Sequence, residues 1–463
     1  IPDAQESRGL GDVYKRQLFT PPQIDGEVLA DSAWDVAEKA SGFTQQRPYN
    51  GQAASQKTEV YVGYTKDTLY LGVICFDSDP DSLIVSDSGR DSSLSDVHSF
   101  TVIFDSFLDR QNGLMFGTTP TSIEYDGQIM KEGSGRFGSG GGAVNMNWDV
   151  AWTVKSQIGD YGWSAEFAIP FRSLRYGPEE LQDWGLNFQR NIARHDETSF
   201  WVPLERQYNL YRVSEAGTLK GLRPPNQKSL KLTPYALGLG SKGGVAGNET
   251  ITESEFGFDA KYLVTPSLTL DATYNTDFAQ VEADEVQVNL DRFSIFLPEK
   301  RPFFLENAGL FSVGAPREIE LFFSRRIGIG SGGAQQPIAG GLRLSGKVAG
   351  STNIGLLHMQ TEEINELSSN RYSVARVNLE LENRSSLGSL LVSRDGDGED
   401  NFNRTYAVDG RWGIGDDNTL SGFLAKTDSP DFDSDDYAGR LRFNRNTQSL
   451  TCLLYTSPSP RDS

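Results

Sequence analysis

The second half of the chain alternates apolar and polar residues in runs long enough for extended strands. The run 256–262 reads FGFDAKY, the run 268–274 reads LTLDATY, and the runs 375–381 and 437–443 follow the same pattern. A period of two places neighbouring side chains on opposite faces of a sheet. The pattern therefore predicts consecutive strands that each have one apolar face and one polar face.

The first half has shorter apolar runs, separated by Gly, Asp and Pro. Strands are predicted at 58–62, 69–76, 100–104, 151–155, 163–169 and 185–190. Short strands at this spacing are typical of a β-sandwich. Asp31 is a suitable cap for a short helical turn that carries Trp34 into the core.

The pattern changes from short apolar runs to long alternating runs at Arg223-Pro224-Pro225-Asn226. We therefore predict an all-β protein with a β-sandwich at 18–222, a linker at 223–227 and an antiparallel sheet at 228–451. The local pattern of the second region suits either a soluble sheet or a truncated outer-membrane β-barrel, whose apolar face meets lipid. Many strands of similar length, loops rich in Asp, Asn and Gly, and the lack of a helical layer favour the barrel.

The two ends of the chain are predicted to be foreign to the protein. Residues 452–463 read CLLYTSPSPRDS, and one choice of codons for them has a complementary strand that encodes ESRGLGDVYKRQ, which is residues 6–17. Such a relation is typical of a sequencing adapter read in both directions. We therefore predict that 1–17 and 452–463 are not native sequence and expect 18–451 to be an internal fragment.

Charge and cysteine content exclude several classes of function. The net charge of −20 argues against a nucleic-acid partner, because phosphate binding needs clustered Lys and Arg. Without the excluded ends, Cys75 is the single cysteine, so an intrachain disulfide or a cysteine zinc site is excluded. No apolar run reaches the roughly 20 residues of a spanning helix, whereas a barrel strand needs only about 9–11 alternating residues.

Specific motifs carry a resemblance to known families. Pro22-Gln23-Ile24-Asp25-Gly26, Asp31-Ser32-Ala33-Trp34 and the segments 60–62, 69–73 and 77–79 resemble the opening of a family 9 carbohydrate-binding module. The stretches YNTDFAQVEAD at 274–284, FLPEKRPFFLE at 296–306 and FSRRIG at 323–328 resemble the family DUF5916. In that family such a module precedes a predicted outer-membrane barrel.

The resemblance implies a function at the cell envelope. It implies a sugar-binding module on a barrel in the outer membrane of a Gram-negative bacterium, with the sandwich facing the periplasm or the exterior. The implied partners are a polysaccharide or oligosaccharide and outer-membrane lipid. Family 9 modules hold a terminal sugar between two tryptophans; this chain has Ser93-Leu94-Ser95-Asp96-Val97 at the first place and Tyr208 to Tyr211 near the second.

Candidate site residues follow from these expectations. The predicted carbohydrate-binding residues are Trp148, Trp201, Tyr208 and Tyr211, with edge packing as the alternative. Structural calcium is the one expected cofactor, since acidic oxygens bind it; the predicted ligands are Asp77, Asp79, Asp91, Asp96 and Asp105, with a solvated acidic loop as the alternative. Charged residues that would line the barrel interior include Lys261, Asp271, Arg376, Asp409, Arg411, Arg440 and Arg442.

Enzyme chemistry has little support in the sequence. No Gly-x-Ser-x-Gly elbow occurs, and the many carboxylates make any glycosidase pair arbitrary, so no catalytic residue is predicted. The main hypothesis is a non-enzymatic envelope protein for glycan binding or uptake linked to carbohydrate catabolism. Two alternatives stay open: a secreted polysaccharide-degrading enzyme that hydrolyses O-glycosyl bonds, and a structural barrel that has lost sugar binding.

Overall fold

The chain folds into two compact units. The computed structural model describes residues 12–14, 16–18, 20–85, 89–133, 144–242, 250–275, 299–315, 318–329, 336–363, 368–398, 400–430 and 436–456. Unit 1 comprises Ile1–Phe137, Ala143–Gln227 and Asn446–Thr451, and unit 2 comprises Gly138–Gly142, Lys228–Arg445 and Cys452–Ser463.

Unit 1 is built from short strands. They are β1 (Asp12–Tyr14), β2 (Arg16–Gln17), β3 (Lys39–Ala40), β4 (Thr44–Arg47), β5 (Thr58–Tyr64), β6 (Thr68–Phe76), β7 (Ser99–Asp105), β8 (Gly113–Thr118), β9 (Tyr125–Ile129), β10 (Val144–Asn145), β11 (Thr153–Gly159), β12 (Gly162–Pro170), β13 (Gln182–Ile192), β14 (Glu197–Phe200) and β15 (Gly217–Leu222). Single 3-10 turns lie at Ser32–Val36, Pro80–Ser82, Lys131–Gly133, Phe171–Ser173, Ala193–His195 and Val213–Glu215.

These strands form two sheets. A nine-stranded sheet has the order β1-β15-β13-β7-β8-β9-β10, with β14 paired to β13 and β4 paired to β14, and a six-stranded sheet has the order β11-β12-β6-β5-β2, with β3 attached to β5. Apolar side chains from both sheets meet in one core, in which Phe100 packs against Phe167 with ring centroids 6.1 Å apart. The predicted sandwich is thereby confirmed.

Buried charges join distant segments of unit 1. Glu166 on β12 accepts hydrogen bonds from the indole of Trp34 at 2.8 Å and from the backbone of Gly26 at 3.0 Å. Asp31 caps the turn that carries Trp34, as the sequence predicts. Arg190 on β13 donates to the carbonyl oxygens of Lys57 and Phe76, which belong to the other sheet. Both side chains therefore stabilise the fold by linking segments that are far apart in sequence.

Unit 2 is built from longer strands. They are β16 (Leu230–Lys242), β17 (Thr250–Thr265), β18 (Leu268–Tyr274), β19 (Gly314–Ala315), β20 (Ile319–Glu320), β21 (Ile338–Ala349), β22 (Thr352–Thr361), β23 (Asn370–Leu381), β24 (Ser385–Gly396), β25 (Phe402–Ile414), β26 (Asn418–Asp428), β27 (Tyr437–Asn446) and β28 (Thr451–Thr456). Helix α1 spans Pro302–Leu305, and 3-10 turns lie at Ala308–Leu310 and Ser324–Arg326.

Eleven of these strands form a single sheet. Its order is β16-β17-β18-β21-β22-β23-β24-β25-β26-β27-β28, so that neighbours in the sheet follow one another along the chain apart from the insertion between β18 and β21. Pairing from β16 to β27 is antiparallel throughout. Among the described residues β16 and β28 do not pair, so the sheet is open.

The apolar set of this sheet faces outward. Leu356, Leu391, Tyr406, Val408 and Leu424 are all exposed on one face. The opposite face is covered by residues 299–315 and 318–329, which we name the inner segment. Its aromatic residues Phe303, Phe304 and Phe311 pack against a cluster that includes Leu357, Met359, Val374 and Leu390.

Charged residues share the covered face with that cluster. Arg343 pairs with Asp271 at 3.0 Å, and Arg376 pairs with Asp409 at 2.5 Å. Lys347 pairs with Glu380 at 2.6 Å. Lys261 and Arg440 pair with Glu306 and Glu318 of the inner segment. Five residues of the predicted interior set therefore lie on the inner face in ion pairs: Lys261, Asp271, Arg376, Asp409 and Arg440.

Within the part of the chain that the structure describes, no helix has the length and apolar character needed to cross a membrane.

Candidate functional site

The predicted sugar-stacking residues lie in unit 1, and the structure places them in different surroundings. Trp148 is only 5% exposed and packs in the core, with its ring centroid 6.3 Å from that of Phe116. Its ring faces are covered, because the loop after β10 turns the indole inward. Trp148 therefore offers no free face for a sugar in this structure.

Trp201 lies at the edge of the same core. It directly follows β14, and its half-buried ring lies 5.4 Å from that of Phe188 at an angle of 47°. The neighbouring Phe200 is fully buried, because successive residues of an extended chain point to opposite sides. Trp201 therefore keeps part of its ring accessible.

The loop that carries Tyr208 and Tyr211 is fixed to β4. The buried amide of Gln46 donates to the carbonyl oxygens of Glu205 and Tyr208, both at 2.8 Å. The guanidinium of Arg212 lies 4.3 Å from the ring centroid of Tyr208, a cation–π distance. This loop, 201–212, is named the aromatic loop below.

Tyr211 packs onto the body of unit 1, next to the buried Leu210. It packs against a second cluster that contains Phe200, Leu204 and Leu210, and its hydroxyl is hydrogen-bonded to that of Tyr125. Burial and the neighbouring Tyr125 raise the pKa of Tyr211. The hydroxyl therefore stays neutral and serves to hold the loop against β9.

The acidic residues predicted as calcium ligands have different partners. Asp77 is buried and pairs with Arg194 at 2.5 Å, and it also accepts the backbone N–H of Asp79. Asp96 accepts the hydroxyl of Ser95 at 3.1 Å. The structure does not bring these three carboxyl groups into one ligand set.

Asp105 is a separate buried acid. It accepts the backbone N–H groups of Asp109 at 3.1 Å and Arg110 at 2.7 Å, which closes the turn after β7. Burial, with the neighbouring Asp109, raises the pKa of Asp105 to about 8. Both carboxyl oxygens of Asp105 accept backbone N–H groups of its own turn.

Asp91, the remaining predicted ligand, belongs to an acidic group around Arg90. Among the described residues, carboxyl oxygens of Asp91, Asp126 and Asp149 lie within 4.8 Å of one another. The guanidinium of Arg90 contacts Asp126 and Asp149 at 2.5 Å and Glu124 at 2.8 Å. We name these five residues the Arg90 cluster.

The Arg90 cluster is centred on a carboxylate with no solvent exposure. Asp126 accepts hydrogen bonds from the backbone of Val150 at 3.2 Å and from the indole of Trp152 at 3.3 Å. Burial raises the pKa of Asp126 to about 6, although Arg90 and Trp152 act in the opposite direction. At neutral pH Asp126 is therefore mainly ionised, and Arg90 balances its charge.

The cluster fits a guanidinium better than a calcium ion. Calcium takes six to eight oxygen ligands, whereas here the oxygens of three carboxylates are turned toward the N–H donors of Arg90. A calcium ion at the same place would require Arg90 to leave. The sequence indicated Asp91 but not Arg90 or Asp126; β9 reads YDGQI, so its own pattern does not mark Asp126 as buried.

Comparison with known proteins gives a family match for part of the chain. Residues 226–363 match the profile of the family described as Domain of unknown function (DUF5916). No curated protein matches the chain.

Three solved structures are similar to it. A family 9 carbohydrate-binding module from Caldicellulosiruptor kristjanssonii in complex with cellotriose is 17% identical, with a TM-score of 0.33, over 46% of this chain and 95% of that one. A putative carbohydrate-binding protein from Bacteroides uniformis is 13% identical, with a TM-score of 0.35, over 46% and 99%.

The third structure extends over both units. Wzi, an outer-membrane carbohydrate-binding β-barrel of Escherichia coli involved in capsule assembly, is 11% identical, with a TM-score of 0.23, over 88% of this chain and 83% of that one. The motifs at 274–284, 296–306 and 323–328, which resemble DUF5916, all lie within residues 226–363.

Proposed function

We propose that the protein is a glycan-binding protein of the outer membrane of a Gram-negative bacterium. In this proposal the outward face of the eleven-stranded sheet contacts lipid, and unit 1 binds a saccharide. The observation that carries the membrane part is the position of the apolar side chains, which point away from the inner segment.

The register of the sheet supports a continuous apolar band. Leu356, Ala375, Leu391 and Tyr406 are direct neighbours across four strands. In the next row Val377 and Val408 flank Ser389, and Val408 neighbours Leu424. Exposed apolar rows of this extent are unfavourable in water, because each buried Å² of apolar surface is worth about 25 cal/mol.

The chemistry of the inner face supports the same assignment. Arg343 and Arg376 are each 1% exposed; Arg343 is paired with a carboxylate on the neighbouring strand β18, and Arg376 with a carboxylate on β25, two strands away. Charges inside and apolar residues outside are the arrangement of a membrane barrel. A soluble sheet would place its charges on the outward face.

Trp412 gives a direct test of lipid contact. Its side chain is 67% exposed on β25, whereas the other tryptophans lie in unit 1, at positions 34–201. In vesicles that contain brominated lipid, we expect quenching of the Trp412 fluorescence, and the variant Trp412→Phe should lose this quenched component.

Two results would contradict the membrane proposal. One is equal fluorescence in brominated and ordinary lipid for both proteins. The other is recovery of the protein in the soluble fraction without detergent, as a monomer whose Trp412 is exposed to an aqueous quencher.

The glycan part of the proposal rests on unit 1. Its motifs resemble family 9 modules, and its aromatic loop carries two ring side chains that are half-exposed, Trp201 and Tyr208. Aromatic rings bind sugars by stacking on the apolar C–H face of a pyranose. Gln46 and Arg212 hold this loop, so the rings are positioned before a ligand arrives.

A binding series tests the glycan proposal. We expect the purified protein to bind a soluble or insoluble polysaccharide on a glycan array, and Trp201→Ala and Tyr208→Ala to weaken that binding at least tenfold. Ile158→Ala, an exposed apolar residue on the other sheet, is the matched control and should bind as the unchanged protein does. The sequence predicts structural calcium in unit 1, so the series is run with calcium and with a chelator, and loss of binding in the chelator would support that prediction.

Absence of binding to every polysaccharide would contradict the glycan part and leave a structural envelope protein. Equal losses for Ile158→Ala and the two loop variants would contradict the site, because a general loss of folding would then explain them.

A further inference from the structure

The two edges of the eleven-stranded sheet differ in the length of their connections. At one edge the strands are joined by 266–267, 350–351, 382–384, 415–417 and 447–450. At the other edge they are joined by 243–249, 275–337, 362–369, 397–401 and 429–436. Each of these edges is the set of strand ends on one side of the sheet, not an outermost strand, and we name them the short-turn edge and the long-connection edge. Because consecutive strands are antiparallel, every second connection lies at the same end of the strands.

Membrane barrels of the bacterial outer membrane have the same asymmetry. Their periplasmic connections are short turns and their extracellular connections are longer loops. From β16 to β28 the connections of this sheet alternate between long and short in the same way. The short-turn edge therefore corresponds to the periplasmic side.

The chain enters the sheet at the short-turn edge. Leu230, the first residue of β16, pairs with Tyr262, and the backbone N–H of Leu263 donates to the carbonyl of Ser229. These contacts lie near the end of β17, directly before the turn 266–267. The residues that precede β16 therefore leave the sheet on the side of the short turns.

We infer that unit 1 faces the periplasm and that its ligand is a saccharide present in that compartment, not a polysaccharide outside the cell. This inference rests on the proposed membrane location of unit 2. It narrows the glycan-binding proposal, since a periplasmic module meets oligosaccharides that have crossed the outer membrane or glycans made within the envelope.

Thiol labelling in intact cells tests the orientation. In a background with Cys452→Ser, where Cys75 is buried, single cysteines are introduced at three exposed positions. Asp400→Cys lies in the long connection 397–401, Asp416→Cys lies in the short turn 415–417, and Lys66→Cys lies in unit 1. A maleimide that cannot cross the outer membrane is added before or after the membrane is permeabilised.

We expect Asp400→Cys to react in intact cells, and Asp416→Cys and Lys66→Cys to react only after permeabilisation. Reaction of Lys66→Cys in intact cells would overturn the inference, whichever way Asp400→Cys behaves. Failure of the membrane proposal is distinguishable, because the protein would then appear in the soluble fraction and brominated lipid would leave Trp412 unquenched. That outcome would overturn the orientation as well.

Discussion

Single buried charges in unit 1 act by holding segments that are far apart in sequence. Glu166 fixes Trp34 and the backbone of Gly26, and Arg190 donates across the sandwich to carbonyl oxygens of the other sheet. Each supplies hydrogen-bond partners to several buried polar groups, and leaving one such group without a partner costs about 1–3 kcal/mol. The Arg90 cluster follows the same principle at the surface.

Arg90 is expected to act as the resident cation of its cluster. Arg90→Ala leaves Asp126 and Asp149 without a counter-charge, and we expect a loss of about 1–2 kcal/mol in the free energy of unfolding. Added calcium should restore part of this loss in the variant and leave the melting temperature of the unchanged protein constant. Thermal unfolding followed by tryptophan fluorescence measures both.

A calcium-induced rise in the melting temperature of the unchanged protein would contradict this expectation. Lys39→Ala, which removes an exposed partner of Glu59, is the control for loss of a surface cation away from the cluster.

His98 makes the stability of unit 1 dependent on acid pH. The ring is fully buried, and Nδ1 accepts the backbone N–H of Ile84 at 2.9 Å. Burial lowers the pKa of His98 to about 4. Between about pH 6.5 and 4 the unfolded state binds a proton that the folded state excludes, so stability falls as the pH is lowered through this range.

His98→Asn keeps an acceptor near Nδ1 and removes the titration. We expect its free energy of unfolding to change less than that of the unchanged protein between pH 7 and pH 4, measured by denaturant titration. Parallel pH profiles for the two proteins would show that other groups cause the acid sensitivity.

Strand β22 illustrates how unit 2 joins its elements. Along it, Leu356 faces outward, while Leu357 and Met359 are buried beneath the inner segment. Gly355 lies on the covered face, where a Cβ atom would approach the ring of Phe311 to 2.7 Å. The glycine therefore admits an aromatic ring that anchors the inner segment to the sheet.

Gly355→Val should displace Phe311 and destabilise the protein by about 1–3 kcal/mol, as overpacking does. Gly410→Val is the matched control, since the nearest atom to a Cβ there lies 3.6 Å away. Faster hydrogen exchange of the inner segment in the Gly355 variant alone would support the prediction. Equal exchange in both variants would contradict it.

At the scale of the whole molecule, the two units place their apolar residues in opposite ways. Unit 1 buries them between two sheets, whereas unit 2 exposes one apolar face and buries ion pairs and polar groups on the other. The first arrangement is stable in water. The second is favourable where hydrocarbon replaces water, because lipid covers the apolar face at no cost in hydration.

A charged substitution on the outward face of the sheet distinguishes contact with lipid from contact with water. Val408→Arg, at a position that is 55% exposed in the middle of the band, should reduce insertion into membranes by about 2–4 kcal/mol. Tyr437→Arg, beside Lys426 at the end of the band, should have a smaller effect of about 0–1 kcal/mol. The fraction of protein in heat-modifiable, protease-resistant form in outer-membrane vesicles measures insertion.

Improved solubility of Val408→Arg, with folding unchanged and no detergent present, would contradict lipid contact and favour a soluble sheet.

The candidate site could be predicted from sequence only in part. Trp201 and Tyr208 were selected because turn-flanking aromatic residues stay accessible, and the structure keeps them at the surface. Trp148 was selected by the same rule, although its loop folds the ring into the core. Sequence spacing carries no information about the direction in which a loop turns, and it gave Asp91 without Arg90 and Asp126.

The sequence by itself determined that the chain is all-β, and it located four of the long strands, at 256–262, 268–274, 375–381 and 437–443, because a period of two marks each of them. It also determined that each of these four runs has one apolar and one polar face. Only the tertiary structure decided which face is covered, since the inner segment returns from a distant part of the chain to pack on the charged side. That choice depends on contacts between residues far apart in sequence, which no local pattern records.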